Sequence, residues 1–175
     1  MYYNGNEIKG LYYNGTAVQN AWYNGVQIWP NNEILSYRIY LEWDPVKDEN
    51  ICIDGMWWNG AQMTTGMFEQ TPGGTSLDAS VNINGSWVSL TTAEVEKMIS
   101  GDTDSLQKYC RGITFRLKPD WGFNSFSWKT DQYYAPTGNQ TIEIFANGSE
   151  RSNLEAKKTI NQTTNTTYTV NRGDT

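Results

Sequence analysis

One ten-residue phrase is written three times without a gap in the opening stretch, MYYNGNEIKGLYYNGTAVQNAWYNGVQIWP, and no other feature of the chain restricts its folding as tightly. Tyr3-Asn4-Gly5, Tyr13-Asn14-Gly15 and Tyr23-Asn24-Gly25 stand ten apart, and an aliphatic residue follows each Gly by three positions: Ile8, Val18 and Ile28. Asn-Gly between apolar residues is a strong hairpin signal, because a type I′ turn needs positive φ at both central positions and Asn and Gly reach it most cheaply. Each phrase therefore reads as strand, turn, strand. With three or four residues left for each strand, and with Lys9-Gly10 and Gln19-Asn20 as reverse turns between units, the expectation is a tight meander over residues 1–30.

Side chains alternate along a strand, so Tyr2, Tyr12 and Trp22 should share one face while Tyr3, Tyr13 and Tyr23 take the other, with Trp29 at the end of the strip. A strip this short cannot bury its own rings, and repeat units need neighbours on which to stack their apolar faces. These seven aromatics are the candidate partner-binding residues. They would lie against a second copy of the chain, a larger assembly, or the remainder of the same chain, and a homo-oligomer is the expectation because a strip with unpaired edges invites pairing with its own kind.

The repeats resemble those at the start of bacteriophage virion proteins of the head-fibre, capsid-decoration and tail type, where short aromatic-Tyr-Asn-Gly-x-x-aliphatic phrases run in tandem. The resemblance covers residues 1–29, and the third unit departs from it by placing Trp22 where the first two have Tyr. It implies a structural component of a phage particle, partnered by other virion proteins and made in the host cytoplasm. The motif contains no catalytic residue, so none is implied.

The rest of the chain agrees with an interface protein. Aromatics reach 14% and charged residues only 18%, with eight Trp and eleven Tyr, a β-rich and adhesive composition. A net charge of −6 argues against a nucleic-acid partner, since binding phosphates takes a basic footprint. No stretch approaches eighteen apolar residues, and no basic segment precedes an apolar one at the start, so neither a membrane span nor a signal peptide is expected. Cys52 and Cys110 are then expected as reduced, buried thiols, and the six Asn-x-Ser/Thr sequons as by-products of an Asn- and Thr-rich composition.

After a turn at Pro30-Asn31-Asn32 the pattern becomes that of an ordinary domain, residues 34–175. Tyr37, Ile39, Leu41 and Trp43 alternate with polar residues and predict a strand, and Asp44-Pro45 ends it. A charged loop, Lys47 to Asn50, leads to Ile51-Cys52-Ile53; Asp54-Gly55 is expected to turn the chain into Met56-Trp57-Trp58, with Asn59-Gly60 next. Thr64 to Thr75 reads as an exposed, mobile loop. Leu77 to Ile83, Asn84-Gly85 and Trp87 to Leu90 form the clearest hairpin outside the repeats. Only one segment has helical grammar: a capping box Thr91-x-x-Glu94, an apolar face of Val95, Met98 and Ile99, and Gly101 as terminator. A second short turn, capped by Asp102, would point Leu106, Tyr109 and Cys110 inward. Further strands are expected around Ile113 to Leu117, Phe126 to Trp128, Ile142 to Ala146, Leu154 to Ile160 and Thr167 to Val170, with an Asn147-Gly148 turn. Seven or eight strands with one inserted helix predict an antiparallel β-sandwich, immunoglobulin-like or jelly-roll.

Chemistry is sparsely represented. With no histidine in the chain, the commonest general base and neutral metal ligand are missing. Nucleophile elbows, phosphate loops and Cys-x-x-Cys pairs are also absent, so neither a catalytic residue, a metal nor a cofactor is expected. A glycosidase needs only two carboxylates, and Glu42, Asp44, Asp48, Glu49 and Asp54 bracket one loop end, though charged loops are usually just solvated. Asp102-Thr103-Asp104 lacks the glycine of a calcium loop and reads better as a helix cap. Trp57-Trp58, with Trp121 and Trp128, would make a platform for a host-surface glycan if exposed, and a core or subunit interface if not. Arg172-Gly173-Asp174 reads as a polar tail.

Overall fold

The computed structural model describes residues 2–3, 6–7, 12–18, 21–23, 26–29, 34–43, 49–102, 106, 108–133, 138–146, 151 and 153–175, which fall into two units, Met1–Ile34 and Leu35–Thr175. In the first unit β1 (Tyr2–Tyr3) pairs with β2 (Asn6–Glu7), β3 (Tyr12–Tyr13) with β4 (Thr16–Ala17), and β5 (Ala21–Tyr23) with β6 (Val26–Trp29). The expected meander is not what forms among the described residues: each unit is a separate two-stranded hairpin. In a two-residue arm, one residue turns its N–H and C=O to the hairpin partner and the other turns them away, so a second ladder would rest on a single residue. The linking pairs Lys9-Gly10 and Gln19-Asn20, and the turn Pro30-Asn31-Asn32, lie outside the described residues.

The second unit is an antiparallel β-sandwich. Its larger sheet centres on β7 (Tyr37–Trp43), whose Tyr37, Ile39, Leu41 and Trp43 are all buried as their alternation requires. The remaining strands are β8 (Glu49–Asn50), β9 (Ile53–Trp58), β10 (Ala61–Gln62), β11 (Ala79–Ile83), β12 (Ser86–Ser89), β13 (Tyr109–Cys110), β14 (Gly112–Leu117), β15 (Ser125–Thr130), β16 (Asn139–Ala146), β17 (Leu154–Asn161) and β18 (Thr167–Asn171). The six-stranded sheet runs β12-β11-β14-β7-β16-β17, the four-stranded sheet β10-β9-β15-β18, and β13 pairs with β8 in a small ladder. The sheets meet through side chains: Tyr37 of β7 packs on Trp58 of β9 with ring centroids 5.6 Å apart, and Phe115 of β14 meets Phe126 of β15 at 6.0 Å.

The helix α1 (Thr92–Ser100) forms as its sequence dictates. Thr91 Oγ1 accepts from the Glu94 N–H at 3.2 Å while Glu94 Oε2 accepts from the Thr91 N–H at 2.8 Å, and Val95, Met98 and Ile99 are buried. Gly101 ends the helix at φ 80°, and a Cβ there would lie 2.4 Å from the Asp54 carbonyl oxygen. The helix terminus is thereby pressed onto β9, and Gln62 Nε2 donates to the Ile99 carbonyl at 2.7 Å. Among the described residues no helix is long and apolar enough to cross a membrane.

Four local expectations are corrected. Asp54-Gly55 makes no turn: it continues β9, where a register shift against Lys129 and Thr130 leaves Asp54 as an extra, bulged residue, and Gly55 supplies the φ of 152°. Thr64 to Thr75 is anchored rather than loose, because Met67 and Phe68 are buried and Phe68 and Gln70 make bridges to Leu117 and Leu77. Glu49–Asn50, expected in a loop, is a short strand, and its partner Tyr109 points out with its ring 64% exposed while Cys110 points in. Arg172-Gly173-Asp174 is a closed turn instead of a tail: Gly173 N–H donates to Glu155 O at 2.8 Å and Lys157 N–H to Asp174 O at 2.7 Å. Asp44-Pro45 and Asn147-Gly148 lie outside the described residues. Cys52 and Cys110 are buried thiols, as expected.

Two outcomes follow from α1. Gly101→Ala combines a left-handed φ with a collision against backbone and should cost at least about 2 kcal/mol in chemical denaturation. Burial alone would raise the Glu94 carboxyl, but hydrogen bonds from Lys108 and Thr91 outweigh it and hold the group below its ordinary 4.5. The native state therefore binds fewer protons than the unfolded chain, and this stabilisation, full above about 4.5, is lost as pH falls through the lowered folded value. Denaturant midpoints of wild type and Glu94→Gln should accordingly converge in acid and separate at neutral pH.

Candidate functional site

The three hairpins share one register. Tyr2 faces Glu7 and Tyr3 faces Asn6; Tyr12 faces Ala17 and Tyr13 faces Thr16; Trp22 faces Gln27 and Tyr23 faces Val26. Each aromatic pair thus holds the same place in its ladder, and the ten-residue period of the sequence becomes a structural period. The third unit is longer, with a register shift after Ala21 that brings Ala21 opposite Trp29. Departure from the pattern at Trp22 goes with departure in the ladder.

Turn chemistry is visible in the second unit, where Asn14 has φ 50° and Gly15 φ 78°, the positive pair that type I′ demands. Asn59-Gly60 (52° and 80°) and Asn84-Gly85 (50° and 88°) repeat it in the sandwich. The turns Asn4-Gly5 and Asn24-Gly25, and the side chains of Tyr2, Tyr3, Trp22, Tyr23 and Trp29, lie outside the described residues. Tyr12 and Tyr13 occupy opposite faces of their hairpin, and both rings are exposed, 68% and 74%. Adjacent aromatics on opposite faces of a two-stranded ribbon cannot shelter each other, so this hairpin offers ring surface on both sides together with unpaired edges.

The other sequence-singled residues are placed differently. Trp57 and Trp58 do not form a platform. They point to opposite faces of β9, and Trp58 is a core residue, 1% exposed, stacked on Phe123 at 4.9 Å and donating from Nε1 to Gly122 O. Trp128 is also fully buried and donates to Gln140 Oε1 at 3.0 Å, while Trp121 lies on a 3₁₀ turn at the surface. The four indoles are not brought together on one exposed face.

Of the loop acids, Glu42 and Asp54 are engaged with cations: Glu42 Oε2 with Arg151 Nη2, and Asp54 Oδ2 with Lys129 Nζ at 3.4 Å. Asp44, Asp48, Thr103, Asp104 and the Glu49 side chain lie outside the described residues. A cleft of about 570 Å³ on the outer face of the larger sheet gathers Glu42, Glu143, Arg151 and Lys157. There Glu143 binds Arg151 at 2.9 Å and Lys157 at 3.1 Å. Burial would lower the Arg151 guanidinium, but Glu42, Glu143 and Tyr40 more than compensate and raise it; its Cζ sits 4.2 Å over the Tyr40 ring. These groups satisfy one another, which makes a braced sheet face. Among the described residues no group of three or more His, Cys, Asp or Glu is placed to hold a metal.

Two features escaped the sequence. Arg38, on the solvent face of β7, is buried against Asp78 in a bidentate pair of 2.9 and 2.8 Å, with Arg116 Nε at 3.5 Å. Partners forty and thirty-eight positions from Asp78 leave no local signal. The strand β12 is the second, exposed along its whole length. The chain has no match among family models, curated proteins or solved structures.

Nitration with tetranitromethane followed by peptide mass spectrometry tests the exposure pattern. Tyr12, Tyr13, Tyr109 and Tyr133 should react early. Tyr37, buried and with its hydroxyl pushed up chiefly by that burial, should stay unmodified until the chain unfolds.

Proposed function

We propose that the chain is a non-enzymatic structural component of a bacteriophage virion, of head-fibre, capsid-decoration or tail-associated type, that docks onto neighbouring subunits through its aromatic hairpins while the sandwich projects or covers. One observation carries this reading: a hairpin repeated in register exposes Tyr12 and Tyr13 on both of its faces. A monomer gains nothing from such a surface. Buried in a partner, each ring is worth on the order of 2–3 kcal/mol before ordering costs. Three tandem units, on a protein present in several copies, multiply that through effective concentration.

The distribution of tryptophan supports assembly over sugar recognition. A glycan platform needs exposed, coplanar rings, and Trp58 and Trp128 are core residues. The mutually neutralised Glu42, Glu143, Arg151 and Lys157 likewise support a structural role for the larger sheet's outer face.

A mass-spectrometric inventory of purified virions of the encoding phage should contain the chain in multiple copies. Particles lacking it should be refilled by wild-type protein. The Tyr12→Ser, Tyr13→Ser double variant, which loses two rings, should refill them at least about tenfold less well, with an unchanged melting temperature. Refilling by the variant at wild-type concentration would refute docking through the repeats, and absence of the chain from particles would refute the virion assignment.

A further inference from the structure

The sandwich has an edge that none of the described residues guards. β12 is the last strand of the six-stranded sheet, and it reads Ser86-Trp87-Val88-Ser89, without a charge, a proline or a bulge. Its residues are all exposed, and Trp87 and Val88 each show 41% of their surface. The two-residue loop Asn84-Gly85 makes Ile83 and Ser86 a hydrogen-bonded pair, so the backbone groups of Val88 and Leu90 also face β11. The Leu90 N–H donates to Ala79 O at 2.9 Å, as that phase requires. The N–H and C=O of Trp87 and Ser89 consequently point away from the sheet.

The other sheet ends are closed by recognisable devices. On β17 the Lys157 N–H donates to Asp174 O and Glu155 O accepts from the Gly173 N–H. On β18 the Thr169 carbonyl accepts from Lys158 Nζ at 2.7 Å. β10 is only two residues long. Short edges, lysines and covering turns are how sheets avoid joining one another, and β12 alone among these lacks all three.

We propose that β12 is a homotypic docking edge, pairing antiparallel with β12 of a second copy to join the two six-stranded sheets. The strand itself identifies the occupant. Each copy carries a net charge of −6, so a self-contact is favoured along a neutral seam, and β12 combines an uncharged sequence with an unblocked edge. Antiparallel pairing about a two-fold axis perpendicular to the sheet is self-complementary. It keeps outer face on outer face, which places residues of equal parity opposite one another. With Val88 on the axis, Trp87 faces Ser89 of the second copy and both outward residues exchange hydrogen bonds. The Trp87 indole leans inward across its own sheet to Tyr40, edge-on at 5.9 Å, which leaves the backbone edge of β12 clear for the second strand. This contact is separate from the hairpin repeats and stands whether or not they dock.

Sedimentation equilibrium of the full chain tests it with three variants. Ser89→Pro deletes one outward N–H at an edge and no β11 ladder bond, so it should keep the wild-type melting temperature and lose the concentration-dependent dimer. The Tyr12→Ser, Tyr13→Ser chain should dimerise as wild type does, which separates this edge from the repeats. Val88→Cys should give a disulfide-linked dimer under mild oxidation, because an axial non-hydrogen-bonded pair brings its Cα atoms to within disulfide reach. A Leu35→Cys control, at a position more exposed than Val88, should not. A wild-type chain that stays monomeric at every concentration, or a dimer indifferent to Ser89→Pro, overturns the proposal. Loss of the dimer in Ser89→Pro without cross-linking by Val88→Cys assigns the edge to a different strand, such as a neighbour's hairpin arm, and overturns self-pairing as well.

Discussion

The two sheets of the sandwich are held by one continuous run of aromatic rings. Phe68 packs on Phe115, Phe115 on Phe126, Phe126 on Trp58 and on Trp128, and Trp128 on Tyr168, at centroid separations from 5.4 to 6.3 Å. Tyr37 and Phe123 complete the run around Trp58. Burying such a ring is worth about 2–3 kcal/mol, and a well-placed pair adds roughly 0.5–1.5. That gain is available only if each indole N–H finds an acceptor. Trp43 donates to Cys110 O, Trp58 to Gly122 O and Trp128 to Gln140 Oε1, at 2.8, 2.6 and 3.0 Å. Each bond also ties a strand to a distant connection, to the small β8–β13 ladder or to the opposite sheet, so the polar requirement of the core fixes how the chain passes over it.

A sandwich of open sheets must then close its sides, and the carboxyl-terminal turn does this where β17 and β18 approach. Gly173, at φ 89°, lets the chain reverse so that Asp174 Oδ2 accepts from the Asn171 N–H and Asp174 O covers β17. Arg172 Nε pairs with Glu155 Oε2 at 2.8 Å. The Tyr37 hydroxyl feels both charges: burial raises it most, Arg172 draws it down and Glu155 pushes it up again. A tripeptide that spells a cell-adhesion signal is here a clasp between two strands, with its arginine and aspartate both engaged by the protein itself. The amide of Arg172 reaches Asn124 O at 2.9 Å, which ties the clasp to the loop before β15 as well. Hydrophobic burial alone would leave those edge groups open.

Much of this was legible because the signals were local. Alternation marked β7, β14, β15 and β16, a capping box and a terminal glycine bounded α1, and Asn-Gly marked the turns at Asn14, Asn59 and Asn84. The failures share a cause: the deciding partner lay far away. Asp54-Gly55 has turn composition, yet pairing with β15 on one side and α1 on the other keeps it extended and bulged. The glycines and proline after Thr71 announce a loop, and they do form its tip, but Phe68 anchors the segment through Phe115 and Leu117. Trp57-Trp58 carried no hint of which ring would face in, since β9 had been split by the supposed turn. The Arg38–Asp78 pair was hidden for the same reason, being set by the juxtaposition of β7 with the approach to β11.

The same Asn-Gly turn serves opposite ends in the two units, and the difference lies in what surrounds it. In the sandwich, Asn59 Oδ1 accepts from the N–H groups of Asn124 and Ser125, at 2.7 and 3.1 Å, while Nδ2 donates to Trp121 O at 2.7 Å. At Asn82 a side-chain oxygen holds the Gly85 N–H at 2.8 Å. Those hairpins are fixed by contacts beyond their ladders, and Trp58, beside the Asn59 turn, has a facing sheet to enter. The hairpin of Tyr12 to Ala17 has two ladder pairs, a favourable turn and two exposed rings. A two-stranded ribbon of that size is marginal by itself in water. Under the proposed docking, burial of Tyr12 and Tyr13 and stabilisation of the ribbon are one event, and part of the ring-burial energy is consumed in fixing the strand pair. Tandem repetition lessens that cost: once one unit is seated its neighbour is already close to its own site, so later units lose less freedom on joining than the first.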